Sequence, residues 1–494
     1  MPLSYGEALQ YLLPEVAVTL GLCVVLCWEI FVKGRRAWDA SVLSIGFLAV
    51  AAVLLVQRLD YAPATVFGMV TVDRFATVFK LFITSATVIV LLFDLQDRRA
   101  LQDGRGETCF LLLTAVLGSY FLVGTTHLLL LYLGLETLGL SSYVLAGMHK
   151  RSRASAEAAL KYVVYGALAS GILLFGASLL YGMTGTLDLR LMAVPIEQAI
   201  REGRTAQIAL PTLLILVGFG FKLSLVPFQW WAPDVYQGVT TPIATFLAVG
   251  SKGVAMAAFL RYLSSAYATV LVQPGQEPSP YLASLGGTLA LVSAATMIFG
   301  NLAALRQDNL KRLLAYSSIA HAGYILMGVA LLSEDGFNAA TLYTFVYYFM
   351  NLGAFGMVIY FANQTGREDI QSLQGLGARH PVAGVSTVVF LASLTGLPPT
   401  AGFAGKWLLI KVAWEGGLHW LALLTALLSV VSLFYYFRIA KALFLTEPAR
   451  DVPPVRSPAL SGLLGLLALA SIAFLHFDPL LQVAEQGVRV LFWG

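Results

Sequence analysis

The sequence has 494 residues, of which 58% are hydrophobic and 12% charged, and its formal net charge is +4. Soluble domains carry about 25% charged residues, so the composition excludes an ordinary soluble enzyme and predicts an all-α polytopic membrane protein in a lipid bilayer. The small, dispersed positive charge also argues against a nucleic-acid partner.

About fourteen apolar stretches are long enough to cross a membrane. They lie at about 13–32, 40–57, 73–93, 109–124, 127–148, 157–182, 206–226, 240–263, 281–303, 313–332, 338–363, 381–415, 418–446 and 457–477. The first is expected to be a retained helix rather than a cleaved signal peptide, because Pro14 and Glu15 precede its apolar run and a basic cluster follows.

Basic residues alternate from loop to loop. They cluster after spans 1, 3, 5, 9, 11 and 13, at Lys33, Arg35, Arg36, Arg98, Arg99, Arg105, Lys150, Arg151, Arg153, Arg306, Lys311, Arg312, Arg367, Arg379, Arg450 and Arg456. The positive-inside rule then places these loops in the cytoplasm and both termini outside. With no transit peptide in view, a bacterial plasma (inner) membrane is the expected location.

Two of the spans contain proline interruptions, which suggests an internal repeat. In GFGFKLSLVPFQWW a lysine precedes the break, and in TGLPPTAGFAGKW a lysine follows it. Paired broken helices in two halves point to a transport site between inverted repeats. We therefore divide the chain into an N-terminal three-helix segment (1–108), a first repeat of spans 4–8 (109–263), a second, inverted repeat of spans 9–13 (281–446) and a C-terminal helix (447–494).

Four ionisable side chains stand inside these apolar stretches: Glu136, Lys222, Lys252 and Lys406. Each charge costs about 2.5–3.5 kcal/mol at mid-membrane, so four unpaired charges would cost on the order of 10 kcal/mol. One acid with three lysines is not a metal-ligand set, and it predicts a proton path. A glutamate–lysine pair whose separation changes can switch the lysine between holding and releasing a proton.

Other polar residues are open to more than one interpretation. Lys161 extends its ammonium to the membrane surface, pairs with Glu136, or passes its influence to the next subunit. His321 is either a packing residue or a relay near Tyr324, since histidine titrates near neutral pH. Lys80 and Lys411 are expected to reach the membrane surface. Asp234 is expected to be a loop or capping residue, and the aromatic runs 347–349 and 434–437 to be core or lipid-facing.

No cofactor site is visible. The three cysteines, Cys23, Cys27 and Cys109, are too few for an iron–sulfur cluster, which needs about four thiolates. No glycine-rich nucleotide motif follows a plausible strand. We therefore expect neither a metal nor a cofactor on this chain.

Three segments together resemble the antiporter-like membrane subunits of respiratory complex I, NADH:quinone oxidoreductase. They are GFGFKLSLVPFQWWAPDVYQGVTTPIATFLAVGSK, KRLLAYSSIAHAGYILMG and LTGLPPTAGFAGKW. The resemblance covers essentially the whole chain. It implies fourteen helices, two inverted five-helix repeats with helices 7 and 12 discontinuous, and one proton channel. It also implies that FMN, iron–sulfur clusters, NADH and quinone lie on other subunits, with subunits M, L, K, J, A and H as partners.

The resemblance also assigns roles. It makes Glu136 and Lys161 the charged residues of spans 5 and 6, and Lys222 the central proton carrier. Lys252 is then the connecting lysine, and Lys406, a lysine rather than a glutamate, favours the subunit N branch over subunit M. One departure is Gln229, where the family often has a histidine that can titrate.

The resulting hypothesis is that Lys222 loads a proton from the cytoplasm, Lys252 and water near His321 pass it on, and Lys406 releases it outward or loads the outward channel. Two alternatives share the fold and most of the lysines. One is a multi-subunit cation/proton antiporter, and the other is a different energy-converting oxidoreductase, such as a membrane-bound hydrogenase. A structural scaffold is disfavoured because it gains nothing from four intramembrane charges.

Overall fold

The structure is a computed structural model that describes residues 4–32, 36, 38–99, 104–271, 278–447, 457–473 and 478–493. Among these residues, eleven helices are long and apolar enough to cross a membrane. Shorter or more polar helices occupy the remaining predicted spans, so a helix or a broken pair of helices lies at each of the fourteen positions. The chain is a multi-pass membrane protein.

The N-terminal segment consists of α1 (Tyr5–Tyr11), α2 (Leu13–Phe31), α3 (Asp39–Gln57) and α4 (Arg74–Gln96). Between α3 and α4 lies an antiparallel hairpin of β1 (Ala64–Val66) and β2 (Val70–Val72). The all-α prediction omitted this hairpin, since strands of three residues are too short to show a periodic pattern.

The first repeat contains α5 (Arg105–Val123), α6 (Leu128–Ala146), α7 (Arg153–Thr184), α8 (Leu189–Arg201), α9 (Thr205–Leu223), α10 (Trp231–Gly238), α11 (Thr241–Thr245), a π-helical segment (Phe246–Ser251) and α12 (Lys252–Ala266). The second contains α13 (Pro280–Ala304), α14 (Leu310–Val329), α15 (Glu334–Thr365), a 3₁₀ turn (Ile370–Leu373), α16 (Leu376–Arg379), α17 (Pro381–Thr395), α18 (Ala401–Glu415) and α19 (His419–Phe444). At the C-terminus α20 (Pro458–Ala473) and α21 (Asp478–Trp493) follow, one helix more than predicted.

Matching junctions relate the two repeats. An isolated bridge joins His127 to Asp188 in the first repeat, and another joins Asn309 to Asp369 in the second. Each bridge holds the start of the second helix of its repeat against the residues that follow the third helix. Because successive helices cross the bundle in opposite directions, the two bridges lie at opposite ends. This is the relation expected of inverted repeats.

Both predicted breaks are present. The helix α9 ends at Leu223, Ser224 is left-handed with φ 59°, and a cis Val226–Pro227 bond follows before α10. The helix α17 ends at Thr395, Gly396 is left-handed with φ 89°, and a cis Pro398–Pro399 bond precedes α18. Gly402, which follows the second break, lies inside α18, where a Cβ would collide with the Ser393 carbonyl oxygen.

Four of the basic loops meet at one end of the bundle, which we call the basic end. Arg99 donates to Glu368 over 2.7 Å, and Lys311 lies 3.1 Å from the same carboxylate. His149, from the loop before α7, lines the cavity that these side chains surround. The loops after spans 3, 5, 9 and 11 therefore share one end, as their lysine and arginine content predicts.

Candidate functional site

Lys222 lies in the last turn of α9, at the first break. Lys222 is only 1% exposed, and its Nζ is 3.4 Å from the Tyr162 hydroxyl on α7. A cation at a helix C-terminus is stabilised by the helix dipole. The Trp231 ring stacks on Tyr162 at 4.3 Å, and its Nε1 donates to the Phe221 carbonyl over 3.0 Å. The break thus places Lys222 in a buried aromatic pocket, and Trp231 gives the Phe221 carbonyl, freed at the end of α9, a hydrogen-bond partner.

Glu136 lies on α6 and is half-buried. It accepts a hydrogen bond from the Ser170 hydroxyl of α7, which also donates to the Tyr132 hydroxyl over 3.4 Å. Seven residues further along α6, Tyr143 packs edge-on against Tyr162 at 4.7 Å. An aromatic pair therefore lies between the Glu136 helix and the Lys222 pocket, and no ion pair within 4.0 Å joins the two charges in the described part of the chain.

Lys161 has partners other than Glu136. Its Nζ lies 2.5 Å from both Asp234 on α10 and Glu157, and about a third of the side chain is exposed. Asp234 also accepts from Arg312 of α14 over 2.6 Å. Asp234 is thus more than the loop or capping residue we expected, because it ties α7, α10 and α14 together. The interpretation in which Lys161 pairs with Glu136 is wrong.

Lys252 begins α12, directly after the π-helical segment. Lys252 is only 5% exposed, and its Nζ donates to the Ser318 hydroxyl of α14 over 2.6 Å. Tyr347 of α15 donates to the same oxygen over 2.8 Å. A cavity of about 10 Å³, close to the size that one water needs, is lined by Lys252, Ser318, Tyr347 and Leu223, the neighbour of Lys222 in sequence. The cavity thus joins Lys252 to the end of α9, the helix that carries Lys222.

His321 is enclosed by tyrosines. Its Nδ1 is 2.9 Å from the Tyr343 hydroxyl and its Nε2 is 3.4 Å from the Tyr436 hydroxyl. The Tyr347 ring, which reaches Ser318, is 5.4 Å away. Both ring nitrogens thus face hydroxyl groups, an arrangement that suits proton relay. Among the aromatics expected to be core or lipid-facing, Tyr347 and Tyr436 are buried in the core, where their hydroxyls also make polar contacts.

Lys406 closes the second break from the α18 side. Its Nζ donates to the carbonyl oxygens of Leu394 and Thr395 over 2.9 and 2.8 Å. These are C-terminal carbonyls of α17 that lack a helical partner. The ammonium also stands 4.7 Å from the ring centre of Tyr324, whose hydroxyl accepts from Asn301 over 3.0 Å. The carbonyls that the break frees are thus partly satisfied by the lysine itself.

Three further polar residues differ from, or add to, the sequence-based interpretation. Lys80 does not reach the membrane surface: it is buried, 2.5 Å from Glu15. Lys411 is about half exposed, as expected. Gln229, at the position where the resemblance implies histidine, is buried, and its Oε1 has no hydrogen-bond partner among the described residues.

Ser318 was missed because a serine in an apolar helix has no distinctive pattern. No group of three or more metal-ligating side chains occurs among the residues that the structure describes.

Comparison with known proteins now places the site in a family. The family described as "NADH:quinone oxidoreductase/Mrp antiporter, TM" matches residues 125–432, a range that includes both breaks. NADH-quinone oxidoreductase subunit N of Anaeromyxobacter sp. (strain Fw109-5) is 39% identical, over 97% of this chain and 96% of its own length. The chain belongs to the NADH-quinone oxidoreductase subunit N family.

Solved structures agree with this membership. A chain of respiratory complex I from Thermus thermophilus superposes with a TM-score of 0.79 at 32% identity, covering 96% of this chain and 99% of that one. A chain of an archaeal membrane-bound sulfane sulfur reductase superposes with a TM-score of 0.86 at 23% identity, covering 98% of each. The second likeness shows that the fold is shared beyond complex I.

Proposed function

We propose that protons cross this chain along a line of buried groups, from Lys222 through Lys252 and His321 to Lys406, with Glu136 influencing the first lysine. As a member of the subunit N family, the chain is a proton-translocating membrane subunit of NADH-quinone oxidoreductase. The line itself is our proposal. The observation that carries it is the set of polar groups buried in the middle of the bundle, each in contact with at least one other polar group. Apolar side chains at these positions would cost less free energy in a membrane.

The contacts divide the line into three segments. Lys252 lines the small cavity at Leu223, the residue that follows Lys222. Ser318 and Tyr347 then lead from Lys252 toward His321. On the far side, the Tyr324 ring is 5.5 Å from the His321 ring and faces the Lys406 ammonium. A proton needs hydroxyl, imidazole or water groups at hydrogen-bonding distance, and the Leu223 cavity has room for one water.

The driving force originates outside this chain. We propose that NADH oxidation and quinone reduction occur on partner subunits that carry FMN and iron–sulfur clusters, and that their charge changes reach Glu136 through neighbouring membrane subunits such as M, L, K, J, A and H. Glu136 is suited to this role because its half-buried helix also exposes Leu133 and Leu140. We further propose that the basic end is cytoplasmic and both termini are periplasmic.

Paired lysine substitutions test the line. We expect Lys222→Met and Lys406→Met each to lower the number of protons moved per NADH oxidised in the assembled complex. Lys411→Met is the matched control because Lys411 lies on the same helix as Lys406 but is about half exposed. The measurement is proton uptake by vesicles that contain the purified complex. Wild-type stoichiometry in Lys222→Met would contradict the proposal.

Purification through a tag on this chain tests the partners. Co-purification of flavin- and iron–sulfur-bearing subunits is the expected result. Recovery of small integral membrane proteins alone would instead indicate a cation/proton antiporter, the other activity named in the description of the matched family.

A further inference from the structure

A polar cavity of about 240 Å³ opens at the basic end, away from the lysine line. Polar side chains from four separate parts of the chain surround it: Asp97 and Arg99 after α4, His149 before α7, Lys311 on α14 and Glu368 after α15. At about 30 Å³ of liquid volume per molecule, it has room for several waters. A second, smaller cavity shares His149 with it and extends inward to Asp94.

The inner wall of the cavity is the start of the helix that leads to Lys252. Val239, Thr240 and Thr241 line it, at the junction between α10 and α11. Lys311 donates to the Val239 carbonyl oxygen over 2.7 Å, and Thr241 donates to Glu368 over 3.2 Å. Both partners of the Lys311–Glu368 ion pair, in which Lys311 is buried and Glu368 is partly exposed, thus contact the wall.

Tyr236 links this wall to the site behind it. Tyr236 precedes Val239 by three residues, about 5 Å along a helix. Its ring centre lies 5.7 Å from the Lys252 Nζ. Thr241 and Lys252 are about 16 Å apart along their helix, and Tyr236 covers part of that distance between the cavity and the proposed line.

The two carboxyl groups of the cavity differ in character. Burial raises the pKa of Asp97 above its ordinary value, against the pull of Arg99, and the charge of Glu368 adds to the rise. Burial would also raise the pKa of Glu368, but Lys311 and Arg99 outweigh it and hold that pKa below its ordinary value. Glu368 is therefore suited to remain ionised in the ion pair, and Asp97 to take up a proton.

We propose that this cavity is the proton inlet of the chain, with Asp97 as the proton-accepting group and the Lys311–Glu368 ion pair as the closure in front of the Lys252 helix. The Asp97 carboxylate takes a proton from water on the basic side. The resulting carboxylic acid gives it up inward and is restored as carboxylate. The inlet rests on the proposed function, since it supplies the same line.

The first test replaces Asp97 by asparagine. General acid–base groups contribute about 10²-fold or more to proton-transfer rates, so we expect Asp97→Asn to lower the rate of proton translocation at least about tenfold and Asp97→Glu to restore much of it. Asp308→Asn is the control, because that exposed carboxyl at the same end pairs with Arg438 and does not line the cavity. Wild-type translocation by Asp97→Asn would overturn the inlet.

A labelling experiment tests the inlet without altering a charge. In the assembled complex, Thr240→Cys should react with a membrane-impermeant thiol reagent applied from the basic side, above the background set by the native cysteines. Labelling should then lower translocation relative to the same variant unlabelled. Absence of labelling, or labelling without loss, would overturn the proposal. If Lys222→Met stops translocation while these results are negative, the lysine line stands and only the inlet fails.

Discussion

Replacing Ser318 by alanine removes the hydroxyl that joins Lys252 to Tyr347. The Ser318 oxygen accepts from the Lys252 ammonium over 2.6 Å and from the Tyr347 hydroxyl over 2.8 Å, and all three side chains are buried. A hydrogen bond to a charged group contributes about 1.5–3 kcal/mol. Since about 1.4 kcal/mol corresponds to a factor of ten, we expect proton transfer past this point to slow by roughly ten- to a hundredfold.

The assay compares NADH oxidation with proton uptake in vesicles that contain the purified complex. Ser318→Thr retains the hydroxyl and should retain most of the translocation. Ser293→Ala is the matched control, because Ser293 is equally buried but donates to the Gly323 backbone carbonyl rather than contacting a lysine. If Ser318→Ala assembles and takes up protons as fast as the unaltered complex, the route through Ser318 is refuted.

Two further predictions concern the framework. Asp73 accepts hydrogen bonds from Arg261 through both carboxylate oxygens at 2.7 Å, so Asp73→Ala should destabilise the chain by about 3–5 kcal/mol and lower its thermal midpoint of unfolding. Adding Arg261→Met to Asp73→Ala should recover much of that loss. Equal midpoints for Asp73→Ala and the unaltered chain would contradict the prediction. Gly402→Ala should lower the stability by about 1–3 kcal/mol and reduce the yield of assembled complex, because the new Cβ would collide with the Ser393 carbonyl oxygen. Gly287→Ala is the control and should be tolerated, because a Cβ at that position has no neighbour within 4 Å.

The breaks and the buried charges were predictable from sequence because each has a local cause. A proline removes a backbone donor and clashes with the preceding turn wherever it stands in a helix. A lysine inside an apolar stretch carries an insertion cost that can be stated without knowing the fold. The lysines at 222, 252 and 406 are buried in the bundle, as these arguments required.

The partners of those charges were not predictable. Lys252 and Ser318 are 66 residues apart, and Arg99 and Glu368 are 269 apart. Periodicity shows which face of a helix is apolar, but it does not show which distant helix packs there. For the same reason, Lys161 was linked to Glu136, although the fold places it beside Asp234.

The sequence alone therefore determined the membrane class, the positions of the spans, the two broken helices and the set of intramembrane charges. Each of these follows from the free energy of placing a residue in hydrocarbon or in a helix, which depends on a window of neighbouring residues. Only the tertiary structure decided the Ser318 and Tyr347 link, the tyrosine cage of His321 and the cavity at the basic end. These depend on contacts between helices that are far apart in the chain.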